Sequence, residues 1–226
     1  MKLEREIKKS NFGKSFRFDK EGVFLLSLVI IPLVYQIIKP QTPFELALSA
    51  LIFFLIVPVL TVRLILAENI YFLGFREGRF GYGLSGVLVG WLIFYPLLNF
   101  LSDQAEFQKA YPLFDFMKSS PSSLLLGEVA IMLPVFAGVQ TFLFGYAYLG
   151  LARMIKRSRA LLLLGLIGIP LFYLSSPPVE IILASLAGFV ACWIMNRSRS
   201  VIYPIIFGWC LSVILDVLVM YKIYMS

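Results

Sequence analysis

The chain carries seven stretches too long and too apolar to fold in water. "FELALSALIFFLIVPVLTVRLILA" (44–67) shows the type, with one glutamate near its start and one arginine near its end. A hydrocarbon core about 30 Å thick is crossed by about 20 apolar residues in α-helix. Inside it every backbone N–H and C=O must be satisfied within the segment, which makes helix the form such runs take. The expected spans are 22–38, 44–67, 83–101, 122–152, 160–176, 178–195 and 201–221. The expected fold is therefore all-α: a polytopic bundle of about seven spans over 22–226, preceded by a basic arm over 1–21. That arm is too long and too charged for the n-region of a signal peptide, so the first span reads as retained. Composition agrees, with 60% hydrophobic and 15% charged residues, against roughly a quarter charged in soluble domains.

Cytoplasmic loops carry the excess of Lys and Arg. With the N-terminus inside, the inner side receives Lys2, Arg5, Lys8, Lys9, Lys14, Arg17, Lys20, Arg63, Arg76, Arg79, Arg153, Lys156, Arg157, Arg159, Arg197 and Arg199, which is 16 of the 20 basic residues. Lys39, Lys109, Lys118 and Lys222 remain outside. The orientation expected is N-in/C-out. The net charge of +7 then serves topology and lipid headgroups, which argues against nucleic acid as a partner.

There is no histidine. The commonest general base and neutral metal ligand is thus missing, and His-ligated haem and His-containing zinc sites are excluded. No cofactor and no metal is expected. Cys192 and Cys210, both inside apolar runs, read as small hydrophobes.

Ionisable groups within spans are costly and mark functional sites by default. Glu128, in the fourth span, and Asp216, in the seventh, are the intramembrane polar pair, able to share a proton or a cation but without an evident third ligand. Glu45 and Arg63 mark the two ends of the second span, where water or snorkelling relieves their cost. Gln140 lies deeper, as an amide suited to bonding a neighbouring helix. Gly86 and Gly90 form a GxxxG, and Ala184, Gly188 and Cys192 a small-residue stripe; both permit close helix approach. Prolines 32, 58, 96, 134, 170 and 204 fall in or near six spans. The long outer segment, Ser102–Ser123, places Phe107, Tyr111, Phe114 and Met117 at roughly helical spacing, as in a helix lying in the interface. Phe107, Tyr111, Phe114 and Phe116 are there either to seat a capping loop at the headgroups or to anchor a partner.

Four stretches share the spacing of a known family. "YFLGFREGRFGYGLSGVLVG" (71–90) looks like a basic loop, "LGLRR", leading into a Gly-rich helix. "VQTFLFGYAYLGLARMIKR" (139–157) looks like the signature helix EExxFRGxL with a basic end. "LIGIPLFYL" (166–174) falls where the FxxxH helix belongs, and "SRSVIYPIIFGWCLSV" (198–213) resembles the closing "GSLWPAILxHxxxN". Over residues 70–215 the chain resembles the CPBP family of intramembrane proteins, which includes CAAX-type prenyl proteases and bacteriocin-processing or self-immunity proteins. In that family the two glutamates, the arginine and the histidines activate water for peptide cleavage. Here the glutamate positions hold Val139 and Gln140, the arginine position Phe144, the histidine positions Tyr173 and Trp209, and the asparagine position falls near Ser212. Groups of this kind supply neither a base nor metal ligands.

The resemblance implies a pseudoenzyme, a scaffolding or binding subunit for another membrane protein or for membrane lipid. Its former active-site cavity would be filled by Gln140, Phe144, Tyr173 and Trp209, and would hold a lipid or isoprenoid chain or pack on a partner helix. The resemblance also places the protein in a prokaryotic cytoplasmic (inner) membrane. Two other readings stand beside it: a small transporter or channel, and an intramembrane protease with a site relocated to Glu128 and Asp216. The topology is open to direct test. A cysteine label at position 156 reads cytoplasmic and one at 226 reads external, whereas labelling from one side only overturns the seven-span map.

Overall fold

In a computed structural model, residues 20–38, 40–169 and 178–225 are described. They are helical, with no strand among them. Among the described residues six helices are long and apolar enough to cross a membrane. They are α1 (Lys20–Ile38), α2 (Pro43–Ile65), α3 (Phe80–Ser102), α5 (Pro121–Met154), α7 (Pro178–Ser198) and α8 (Ile202–Met225). A short α4 (Ala105–Ala110) follows α3, and α6 runs over Arg157–Leu163 and on through a π-helical turn, Leu164–Gly168. The expected span 160–176 begins in α6; its remainder, with Tyr173 and the turn before Pro178, lies outside the described residues, as does the basic arm up to residue 19.

Several features of the sequence explain local form. Thr42 and Glu45 cap α2 reciprocally: the Thr42 hydroxyl accepts from Glu45 N (3.2 Å), while Glu45 Oε2 accepts from Gln41 N and Thr42 N. Glu45 is thus a helix cap. Three π-helical turns, Ile52–Ile56, Glu128–Met132 and Leu164–Gly168, each end two residues before a proline, at 58, 134 and 170. A proline ring clashes with the carbonyl four residues back and offers no N–H; a widened turn ahead of it relieves both.

The outer segment is not the single interfacial helix its spacing suggests. α4 stops at Ala110, Tyr111 is extended (φ −121°, ψ 148°), and a separate 3-10 turn covers Asp115–Lys118. Pro112 is the cause, because a residue before proline is driven out of the helical region.

Helices α3, α7 and α8 pack together, α2 lies along α5, and α5 meets α8 to join the two groups. The GxxxG faces inward: added methyls at Gly86 and Gly90 would meet Ile194 of α7 and the Phe207 ring of α8. α1 has only two buried residues, Phe24 and Ile31. It is held by aromatic contacts that run from Phe24 to Tyr146 (5.0 Å), Phe142, Phe54 and Tyr35. The outward faces are apolar, with Ile37 79% and Leu92 75% exposed, as lipid-facing surface requires.

The two ends differ. At one end, rich in Lys and Arg, the 66–79 and 198–203 connections are tied by backbone bonds, Arg79 N to Ser198 O (2.7 Å) and Val201 N to Gly74 O (3.1 Å). The Tyr203 hydroxyl donates to Glu77 O and Arg76 Nε to Arg199 O. Gly78, at φ +69°, lies against Ser198 O so closely that no side chain fits. At the other end, side chains make the ties: Lys222 to Asp103 (2.7 Å) and the Tyr224 hydroxyl to Lys118 O (3.0 Å).

Gly138 is the tightest helix crossing in the α2–α5 pair: a Cβ there would sit 2.5 Å from the Ala50 carbonyl oxygen, a backbone atom with nowhere to go. Gly138→Ala is expected to lower the thermal unfolding midpoint in detergent, at a cost of about 1–3 kcal/mol. Gly81, where nothing lies within 4 Å, is the control; Gly81→Ala is neutral or stabilising by up to about 1 kcal/mol.

Candidate functional site

The first candidate site is a cavity of about 140 Å³ where α3, α5, α6, α7 and α8 converge beneath the 102–123 segment. Its apolar wall comes from Leu98, Phe136, Leu143, Phe144, Ile169, Phe207 and Leu211, and from the small residues Ala184, Ala187, Gly188 and Ala191. The small-residue stripe of α7 therefore faces the interior of this chain and makes room for the cavity. Its polar groups are the Gln140 amide, Ser212, Tyr111 and Glu180. The Gln140 side chain packs on Gly208 of α8, where an added methyl would collide with Nε2. Its Oε1 is buried and meets no donor among the described residues.

Gln140, Phe144 and Ser212, three of the positions singled out by the family resemblance, line this one cavity. Val139 does not: it is buried in the core beside Gly138, which faces α2. Trp209 does not fill the cavity either. A buried indole N–H needs an acceptor, and Trp209 Nε1 finds the Glu128 main-chain oxygen at 3.0 Å. The ring thereby joins a second cluster around Met117, Leu124, Met132 and Met220. Tyr173 lies outside the described residues.

The second candidate site lies in that cluster. Glu128 on α5 and Asp216 on α8 are each 1% exposed. Their carboxyl groups are within interaction range of each other. Among the described residues Glu128 Oε1 and Oε2 and Asp216 Oδ1 nonetheless meet no hydrogen-bond donor at bonding geometry. Among the described residues no group of three or more Cys, Asp or Glu side chains gathers in one place. Cys192 is buried and Cys210 half-buried, and both are free thiols.

The four aromatics of the outer segment have different settings. Phe107 is buried and stacks on Tyr111, which borders the cavity (centroids 5.7 Å). Phe114 packs on the Met117 cluster and stacks on Phe116, which is 39% exposed. The segment thus covers the bundle, with Phe116 and Leu113 as its exposed apolar groups.

Sequence reasoning passed over the tyrosines of the central helix. Thr141–Tyr148 is an eight-residue π-helical stretch, buried throughout. The Tyr146 hydroxyl pairs with Ser27 of α1, and the Tyr148 hydroxyl accepts from Asn196 Nδ2 of α7 at 2.7 Å. A tyrosine every second residue, with Ser27 and Asn196 as the scarce polar residues of their spans, was the available signal.

No protein-family profile matches the chain, no curated protein matches it, and no solved structure matches it.

The two polar side chains of this region separate by mutation. Trp209→Phe removes a satisfied indole bond and is expected to cost about 1 kcal/mol in thermal stability. Gln140→Leu removes an amide oxygen that meets no donor among the described residues, and is expected to be neutral or stabilising. A loss from Gln140→Leu as large as from Trp209→Phe would show that the amide is bonded.

Proposed function

We propose that the chain is a non-catalytic, CPBP-like integral membrane protein of about seven spans, oriented N-in/C-out, and that it works as a binding or scaffolding subunit for a membrane partner or lipid. The observation that carries this reading is the cavity lined by Gln140, Phe144 and Ser212, positions that in the resembled family surround the reacting peptide. Its space remains, and its polar lining offers an amide, two hydroxyls and one carboxylate, Glu180. An amide does not activate water, and the one carboxylate in the lining, Glu180 in the first turn of α7, is not at a position of the family's motifs.

The volume suggests the guest. An apolar cavity of about 150 Å³ takes one benzene-sized group, so this one suits a single isoprenoid unit or the end of an acyl chain, entering from the bilayer. Phe116 and Leu113, exposed on the outer segment, are the aromatic and aliphatic groups a membrane partner would meet there. The membrane is expected to be a prokaryotic cytoplasmic one.

A second reading, a small transporter or channel or a protease with a relocated site, is favoured by one observation: the buried Glu128–Asp216 pair. A peptide-cleaving site would further need a nucleophile or a water held beside that pair.

The test is to purify the protein in mild detergent and identify bound lipid by mass spectrometry, together with metal content. Stoichiometric isoprenoid or acyl lipid is expected, displaced in Ala184→Phe, which fills the cavity. Neither cleavage of prenylated or leader peptides nor its appearance in Trp209→His is expected, because one restored member of a multi-residue catalytic unit gains little. Lipid retained equally by Ala184→Phe overturns the cavity as the site; stoichiometric zinc overturns the non-catalytic reading.

A further inference from the structure

We propose that Glu128 and Asp216 form a one-proton site, a carboxyl pair inside the bundle that holds a single shared proton and exchanges it with water across the outer cap. This proposal stands independently of the lipid-binding reading, since neither residue lines the cavity.

Three observations carry it. The two side chains come from different helices, α5 and α8, and each is 1% exposed, so the pair is built by the fold and not by local sequence. Among the described residues, three of their four carboxyl oxygens meet no donor at bonding geometry. The Trp209 indole N–H, close to the Glu128 side chain, donates to the Glu128 main-chain oxygen at 3.0 Å. And among the described residues no cation forms an ion pair with them. Lys118, the charged group that faces Asp216 from the cap, is bound to Asp115 at 3.3 Å. Lys222, further along α8, is bound to Asp103 at 2.7 Å.

The other groups around the pair do not neutralise it. Cys210 faces Glu128 from α8, and a thiol brings no positive charge. α2 packs against this turn of α5 through its first turns, and its one acid there, Glu45, is spent on capping Gln41 N and Thr42 N. Two ionised carboxylates held side by side without water or counter-charge repel each other and lose their hydration. One proton removes the difficulty: the protonated carboxyl donates to the ionised one and supplies the missing donor.

The path for that proton is short. Met117, fully buried, rests on Gly127, the residue before Glu128. It belongs to the 3-10 turn Asp115–Lys118, which is anchored to the end of α8 by the Tyr224 hydroxyl bond to Lys118 O. Displacing this one turn opens the pair to the outer aqueous phase. A proton leaving Glu128 passes to water there, and the pair then carries two negative charges until it is reprotonated or the turn closes.

The full-length protein in detergent micelles is treated with dicyclohexylcarbodiimide, which reacts with protonated carboxyls in apolar surroundings, at pH 6 and pH 8, and the adducts are mapped by mass spectrometry. Labelling at Glu128 or Asp216, at most one per chain, is expected to persist at pH 8 while Asp103, Asp115 and Glu180 stay unmodified. In Glu128→Gln and Asp216→Asn the amide N–H supplies the donor in place of the proton, and labelling of the remaining carboxyl at pH 8 is expected to fall roughly tenfold, the effect of one unit in proton affinity. Infrared spectra of the untreated protein give a readout that needs no variant: the C=O band of a buried protonated carboxyl is expected at pH 8. Absence of both label and band overturns the proposal, as does labelling of both residues on one chain. Labelling suppressed by sodium at constant pH overturns it in favour of a cation site.

Discussion

Within a bilayer the pairing of helix with helix gains nothing from leaving water, because lipid tails are as apolar as leucine. What remains is contact at short range, and in this protein that contact passes through points where one backbone meets another. Gly138 lets α5 approach the Ala50 carbonyl of α2, and Gly145 lets the same helix reach the Leu73 carbonyl in the 66–79 connection. On the other side of the bundle Gly90 receives the ring of Phe207. The position of α5, and with it of Gln140, Phe144 and Glu128, is set by these contacts. Dispersion between well-fitted surfaces falls off steeply with separation, so a displacement of one helix is felt at each of these points.

Six of the seven expected spans were legible from the sequence because their signal is collective. Twenty apolar residues in a row specify a helix whatever their order, and the described helices begin and end within a few residues of where hydropathy ends. Tertiary facing was less legible. A stripe such as Ala184–Gly188–Cys192 reads the same whether it faces a partner or its own chain, since only the position of the neighbouring helix decides. The outer segment misled for a local reason: helical spacing at Phe107, Tyr111 and Phe114 was a coincidence of a chain broken at Pro112. The pairing of Glu128 with Asp216 was legible as a possibility, from two acids at similar depth in two spans. Trp209 was not, because the acceptor that draws its ring away from the cavity is a backbone atom on another helix.

The buried polar groups fall into two kinds. Some close on each other, as Tyr148 does with Asn196 and Ser200 does with the start of α8; these orient helices and leave no capacity over. Others meet no partner among the described residues: the Gln140 oxygen, the Thr141 hydroxyl, the Trp91 indole, the Glu128 carboxyl and Asp216 Oδ1. Since a buried polar group without a partner costs about 1–3 kcal/mol, open groups concentrated along α5 and α8 are where a guest, a water molecule or a proton has most to gain.

The unequal stitching of the two ends has a mechanical consequence. Main-chain bonds between 74–79 and 198–201 behave as a fixed hinge-pin, since no rotamer change releases them. At the opposite end the fastenings are the tips of long side chains, Lys222 and Tyr224, which swing free at little cost. Fastened in this way, the bundle holds its shape best at the basic end, whereas at the other, two of the ties between the 103–118 segment and the end of α8 can be undone by rotamer changes alone.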